Sequence, residues 1–172
     1  ENNIDTSRVS SINIDMPKYG VQLCGSPIEQ KRNPQSPVDA QFSGCFAVAL
    51  ALTEQKADMT TFTGALDRGL SDEFKRLMSI TDIQQADDLD EIHPEFWPGR
   101  VKMVIDGEEV ELYGKHMRGE RERPMAIEEV QDKFRDLSPK HDEKNRKEVF
   151  DVINNLENAS IDDLLEPLRK TS

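Results

Sequence analysis

The stretch Ser36-Pro37-Val38-Asp39-Ala40-Gln41-Phe42-Ser43-Gly44-Cys45-Phe46-Ala47-Val48-Ala49-Leu50-Ala51-Leu52 decides the fold. It opens as a helix should. Ser36 can cap the free backbone N–H groups, Pro37 suits the first helical position, and the Asp39 charge faces the positive end of the helix dipole. From Phe42 to Leu52 almost every residue is apolar, so the helix is expected to be buried on all sides. It falls well short of the roughly 20 apolar residues needed to span a bilayer. Gly44 weakens a helix by about 1 kcal/mol relative to Ala. Its expected compensation is the close approach of another backbone or a ligand. The stretch therefore reads as the central helix of a small α+β unit, with strands and polar helices laid around it.

Outward from that helix, Ser11-Ile12-Asn13-Ile14-Asp15-Met16 alternates strictly and predicts a half-buried strand ended by Pro17. Residues 18–35 hold Gly20, Gly25, Pro27 and Pro34 and predict an irregular connection. Beyond the helix, Met59–Phe62 predicts a short turn. Asp72–Met78, capped by Ser71, predicts one or two helical turns, and Ser79–Ile83 a strand. Asp87–Pro98 is acidic and Pro-bounded, a loop pinned by Phe96 and Trp97. Val101–Ile105, Asp106-Gly107 and Glu108–Leu112 predict a hairpin on a type I′ turn. That register sets Met103 against Val110, Val101 against Leu112, and Lys102 against Glu111 as a complementary pair. Three amphipathic stripes follow: Ile127, Val130, Phe134, Leu137; then Val149, Ile153, Leu156; then Ile161, Leu164, Leu165, Leu168. The expected architecture is thus a small antiparallel sheet with a buried central helix over 1–124, followed by three C-terminal helices over 125–172. No repeat or low-complexity tract is present.

The chain of 172 residues carries a formal charge of −12. That sign excludes a nucleic-acid partner and disfavours an anionic membrane surface. Cys24 and Cys45 have neither metal spacing nor the makings of a disulfide framework. Glu1–Asp15 lacks an apolar segment, so no signal peptide and a cytoplasmic location are expected. His93 and His141 read as solvated surface groups, and no metal is expected. His116 stands in Lys115-His116-Met117-Arg118-Gly119-Glu120-Arg121-Glu122-Arg123-Pro124. These residues leave two readings open. The cations can receive a polycarboxylate, or the loop is a solvated one whose acids neutralise its bases.

The order of parts carries more than any one of them. Pro37-x-Asp39-Ala40-x-Phe42-Ser43 leads into the Ala-rich helix. The Asp-Gly hairpin comes next, then Gly119-x-x-x-x-Pro124-Met125, then Glu128-Glu129-Val130-x-x-Lys133-Phe134-Arg135, and last Leu156-Glu157 before Leu164-Leu165. This order resembles the C-terminal region of the MmgE/PrpD family, which includes 2-methylcitrate dehydratase and cis-aconitate decarboxylase. The resemblance implies a lid-like α+β domain, helices that return to a larger helical domain, and lyase chemistry on small di- and tricarboxylates. It implies no metal or organic cofactor. Members often carry a Tyr in the central helix motif at the position held here by Phe46, so no catalytic residue is assigned. Ser43, His116, Arg118, Arg121 and Arg123 are the expected substrate-binding residues. The expected partner is the family's N-terminal helical domain, in the same or a separate chain, and self-association through the tail is expected besides. The chain, which opens on Glu1, is expected to be a fragment or a separately encoded part. The rival expectation is a non-catalytic module that binds a protein or a small carboxylate.

Overall fold

A computed structural model describes residues 4–169. The outermost ends of the two expected domains, residues 1–3 and 170–172, lie outside the described residues. The chain divides into two compact units, Glu1–Pro124 and Met125–Ser172.

The first unit is α+β. Strands β1 (Val9–Met16), β2 (Thr81–Gln85), β3 (Gly99–Ile105) and β4 (Glu108–Gly114) form one sheet in the order β2-β1-β3-β4. β1 pairs with β3 antiparallel and with β2 in parallel, so the sheet is mixed rather than wholly antiparallel. A parallel pair needs a long crossover. The chain supplies it as three helices, α1 (Gly44–Glu54), α2 (Met59–Arg68) and α3 (Asp72–Ser79), preceded by shorter helical turns.

The Ser36–Leu52 stretch is two helices, not one. Ser36 caps a single turn, Pro37–Gln41. The chain then leaves helical geometry at Phe42 and Ser43, and Ser43 caps α1 by accepting from the Phe46 N–H at 3.0 Å. Its hydroxyl also donates to the Lys31 carbonyl at 2.5 Å, so the break is stabilised by the residue that makes it. Nor is α1 buried all round. Cys45, Phe46, Ala49 and Leu50 face the core, whereas Ala47 and Ala51 are exposed. A Cβ on Gly44 would meet Ile83 Cδ1 at 2.8 Å, so the glycine lets the helix start press on a β2 side chain.

Ile12, Ile14 and Met103 of the sheet pack on Phe46, Leu50, Phe74 and Leu77 of the helices. The Phe46 ring lies 5.0 Å from both Phe62 and Phe74. Two further segments are more helical than expected. Residues 18–35 are not irregular: Lys18–Gly20, Val21–Gly25 and Ile28–Arg32 are helical turns, two of them started by Pro17 and Pro27. The expected turn at Met59–Phe62 is the start of α2. It is held by a reciprocal cap in which Asp58 Oδ1 accepts from the Thr61 N–H, and Thr61 Oγ1 accepts from the Asp58 N–H.

The hairpin has the predicted register, with Asp106 and Gly107 at φ 51° and 85° as a type I′ turn requires. Two details differ. Lys102 turns its ammonium to Asp15 at 3.2 Å, drawn by a carboxylate withdrawn from water, and Glu111 lies 3.8 Å from Arg100. Val110 and Leu112 are exposed, because β4 is exposed along its whole length.

The second unit holds α4 (Ile127–Leu137), α5 (Glu143–Asn154) and α6 (Ile161–Arg169), the three predicted helices. Leu156 falls in a separate turn after α5. Phe134 and Phe150 meet edge-to-face at 5.3 Å, and the Arg146 guanidinium donates to the Ser138 carbonyl at the end of α4. No helix among the described residues is long and apolar enough to cross a membrane.

Candidate functional site

The expected site residues fall into two groups. Ser43 and Phe46 lie in the core around α1. Ser43 is buried with its hydroxyl engaged on both sides by backbone, and Phe46 is enclosed by aromatic rings. Both shape the helix start rather than present a group to a ligand.

His116, Arg118, Arg121 and Arg123 come together in the loop after β4. The loop is closed by backbone bonds from Gly119 N–H to the Arg123 carbonyl (2.8 Å) and from Arg123 N–H to the Glu120 carbonyl (3.0 Å). It is braced on Phe96. The His116 ring meets the Phe96 ring edge-on at 5.2 Å, and the Lys115 ammonium sits 3.9 Å from the Phe96 centroid. The Arg123 guanidinium points to the His116 carbonyl at 3.5 Å. Arg121 is exposed and makes no hydrogen bond or ion pair among the described residues. A free, planar, permanently charged group on a closed loop is suited to bidentate capture of a carboxylate.

The same loop gathers carboxylates. His116, Glu120 and Glu122 place one ligating atom each within 4.8 Å of one another. His116 Nδ1 is shielded from water and has no hydrogen-bond partner; Glu120 Oε2 stands 3.5 Å away, near but not bonded. The other two histidines are not solvated surface groups either. His93 packs against both the Tyr19 and Trp97 rings, which also touch each other, and His141 Nε2 lies 2.9 Å from the Leu168 carbonyl.

A second charged constellation was not visible in the sequence. On the face of the sheet opposite the helices, Asp15 is 1 % exposed. It accepts from Asn13 at 2.7 Å and Gln84 at 2.8 Å, and lies 3.2 Å from both Arg100 and Lys102. Burial works to raise its carboxyl. The Gln84 hydrogen bond and the Lys102 and Arg100 charges outweigh burial and hold it below the usual carboxylate range. Arg100 also pairs with Asp88. With both cations bound to carboxylates, this network stiffens the sheet and leaves no charge for a ligand. Its only local signal was the polar half of the β1 alternation; the partners arrive through strand pairing across 69 to 87 residues of chain.

A groove of about 420 Å³ in the second unit is lined by Glu148, Asp151, Asp163 and Glu166. Its charge is the wrong sign for a polycarboxylate. Cys45 is inert as a nucleophile: burial pushes its thiol up to about 11.

Compared with known proteins, residues 1–158 match the family model of the MmgE/PrpD C-terminal domain. No curated protein matches the chain.

Proposed function

The chain belongs to the MmgE/PrpD family as its C-terminal domain, and on that premise we propose that it serves as the lid of a lyase acting on small di- or tricarboxylates. The reaction class is proton abstraction next to a carboxylate, with loss of water or carbon dioxide. The observation that carries this reading is the closed cationic loop after β4 with its uncommitted Arg121. Arg121, with Arg118 and Arg123 beside it, anchors the substrate carboxylates and offsets charge that builds up as the proton leaves. Ser43 and Phe46 contribute by fixing the start of α1. With Phe46 where family members often carry a Tyr, this helix offers no phenol at that position to transfer a proton, and the general base comes from the family's helical domain. That domain is the proposed partner, and the exposed stripe of α4 is the surface offered to it.

Calorimetric titration with citrate, as a tricarboxylate probe, tests the anchor. Binding by the chain that is lost in Arg121→Ala supports the reading; citrate binding unchanged in Arg121→Ala and Arg123→Ala overturns it. Assays with 2-methylcitrate and cis-aconitate test the division of labour, and the chain by itself is expected to give no turnover. Robust turnover abolished by changing one of its own residues would place the chemistry in this domain.

The other reading is a non-catalytic binding module derived from the lid, favoured by Phe46 at the Tyr position. Whether the same or a neighbouring reading frame encodes the helical half separates the two.

A further inference from the structure

The loop that carries the arginines also holds a side-chain set that anion binding does not use. His116 Nδ1 is shut off from solvent, lacks a hydrogen bond, and faces Glu120 Oε2 at 3.5 Å. Glu122 brings a third ligating atom within 4.8 Å of the other two and has no hydrogen bond or ion pair of its own among the described residues. The edge-on Phe96 ring fixes the plane of the imidazole. The Lys115 ammonium lies over the Phe96 face and the Arg123 guanidinium points to a carbonyl, so neither competes for this nitrogen. An N···O separation of 3.5 Å is close to the edge between neighbouring ligands around a metal with bonds of about 2.0–2.2 Å.

We propose that His116, Glu120 and Glu122 bind one divalent metal ion of the zinc class, which cross-links the loop after β4 on itself beside the Phe96 ring. One imidazole with two carboxylates suits zinc or manganese better than magnesium, which prefers all-oxygen octahedra and keeps its water. Solvent completes the coordination, because Glu122 and the outer side of the loop are exposed. A bound dication offsets the charges of Glu120 and Glu122, and so leaves the loop more strongly cationic toward an anion. The inference stands apart from the lyase reading and survives its failure.

The test is calorimetric titration of the chelator-treated full chain with ZnCl2, in buffer free of polycarboxylates, with MgCl2 in parallel. One zinc per chain is expected, with no heat from magnesium. The signal should vanish in His116→Gln and weaken severalfold in Glu122→Gln. His93→Gln and His141→Gln, which change the other two histidines, should bind as the parent does. Glu122 is an exposed loop residue, so its variant keeps the fold; circular dichroism checks this for both. Absence of stoichiometric zinc binding overturns the proposal, as does zinc binding that survives His116→Gln or equal binding of magnesium.

Discussion

Phe46 in α1 and Phe134 in α4 are both helical phenylalanines with an aromatic neighbour, and they meet different fates. Phe46 is 0 % exposed and is wrapped by Phe62, Phe74 and the underside of the sheet. Phe134 has the Phe150 edge and remains half-buried, and α4 has no fully buried residue at all. The difference lies in the sequence around each ring, almost wholly apolar in α1 and largely charged in α4, and in how many elements converge. In the first unit two layers close on α1 from distant parts of the chain. In the second, three short helices share one aromatic contact and leave Ile127, Val130, Leu137 and Ile161 in water. An amphipathic stripe declares that a partner surface exists; it does not say that the partner lies in the same unit.

The largest test of this contrast is truncation of the two rings. Phe46→Ala should cost the first unit about 3–5 kcal/mol, and Phe134→Ala only about 1–2 kcal/mol, because a half-covered ring forfeits only part of its burial energy. Trp97 is the single tryptophan and lies in the first unit, so its fluorescence reports that unit during urea unfolding, and helical dichroism followed alongside it registers the loss in the second. Equal losses would break the comparison.

Next in size is Gly107→Val, at about 1–3 kcal/mol. A Cβ at Gly107 meets nothing within 4 Å, so the cost is the φ of 85° forced on a β-branched residue, not a clash. An unchanged thermal midpoint would mean that the turn has another form.

Acid sharpens the contrast further. Asp15 is lowered despite its burial. Asp58 is held at about 2 first by Lys56, and Glu73 at about 2 first by Arg76. A carboxyl with a depressed folded pKa contributes stability above its unfolded value near 4, and that contribution fades as pH falls through the folded value. The first unit should therefore weaken steadily from about pH 4 toward pH 2, and Asp15→Asn should flatten part of that slope. In the second unit Glu143 and Asp163 are also lowered but stand in open solvent, where screening leaves them little leverage. Urea midpoints by tryptophan fluorescence, set against those from helical dichroism, separate the two slopes.

The smallest effect on stability belongs to Ile127→Ser with Val130→Ser, within about 0.5 kcal/mol. Its readout is mass. Self-association of the full chain by light scattering should rise with concentration and fall in the double variant. A strictly monomeric parent would mean that the α4 stripe does not serve to pair copies.

What the sequence made legible was local. The β1 alternation, the Asp-Gly turn with its register, the Ser71 cap and the three tail stripes all depend on neighbours within a few residues, and each stands as expected save for Leu156, which falls in a turn after α5. Two of the misread elements answered to distant ones, and a third to a local cap. Ser43 breaks the central helix because the Lys31 carbonyl awaits its hydroxyl. Lys102 forsakes Glu111 for Asp15 because β1 lies between β2 and β3. The α2 helix hid behind three threonines, whose low helical preference was offset by the Asp58–Thr61 cap. At the candidate site, the arginines were legible as charge. The meeting of His116, Glu120 and Glu122 required the loop to close, which no spacing rule announces.

The outer edge of β4 has a consequence for handling the protein. Its backbone is open to a fifth strand, and what it offers a newcomer is Glu108, Glu109 and Glu111. A second copy laid antiparallel along it would set glutamate against glutamate, so charge insulates an edge that geometry leaves unguarded. That insulation acts through solvent and is screened by salt. Concentrated salt therefore invites sheet-to-sheet growth, whereas buffers of low ionic strength keep the edge repellent.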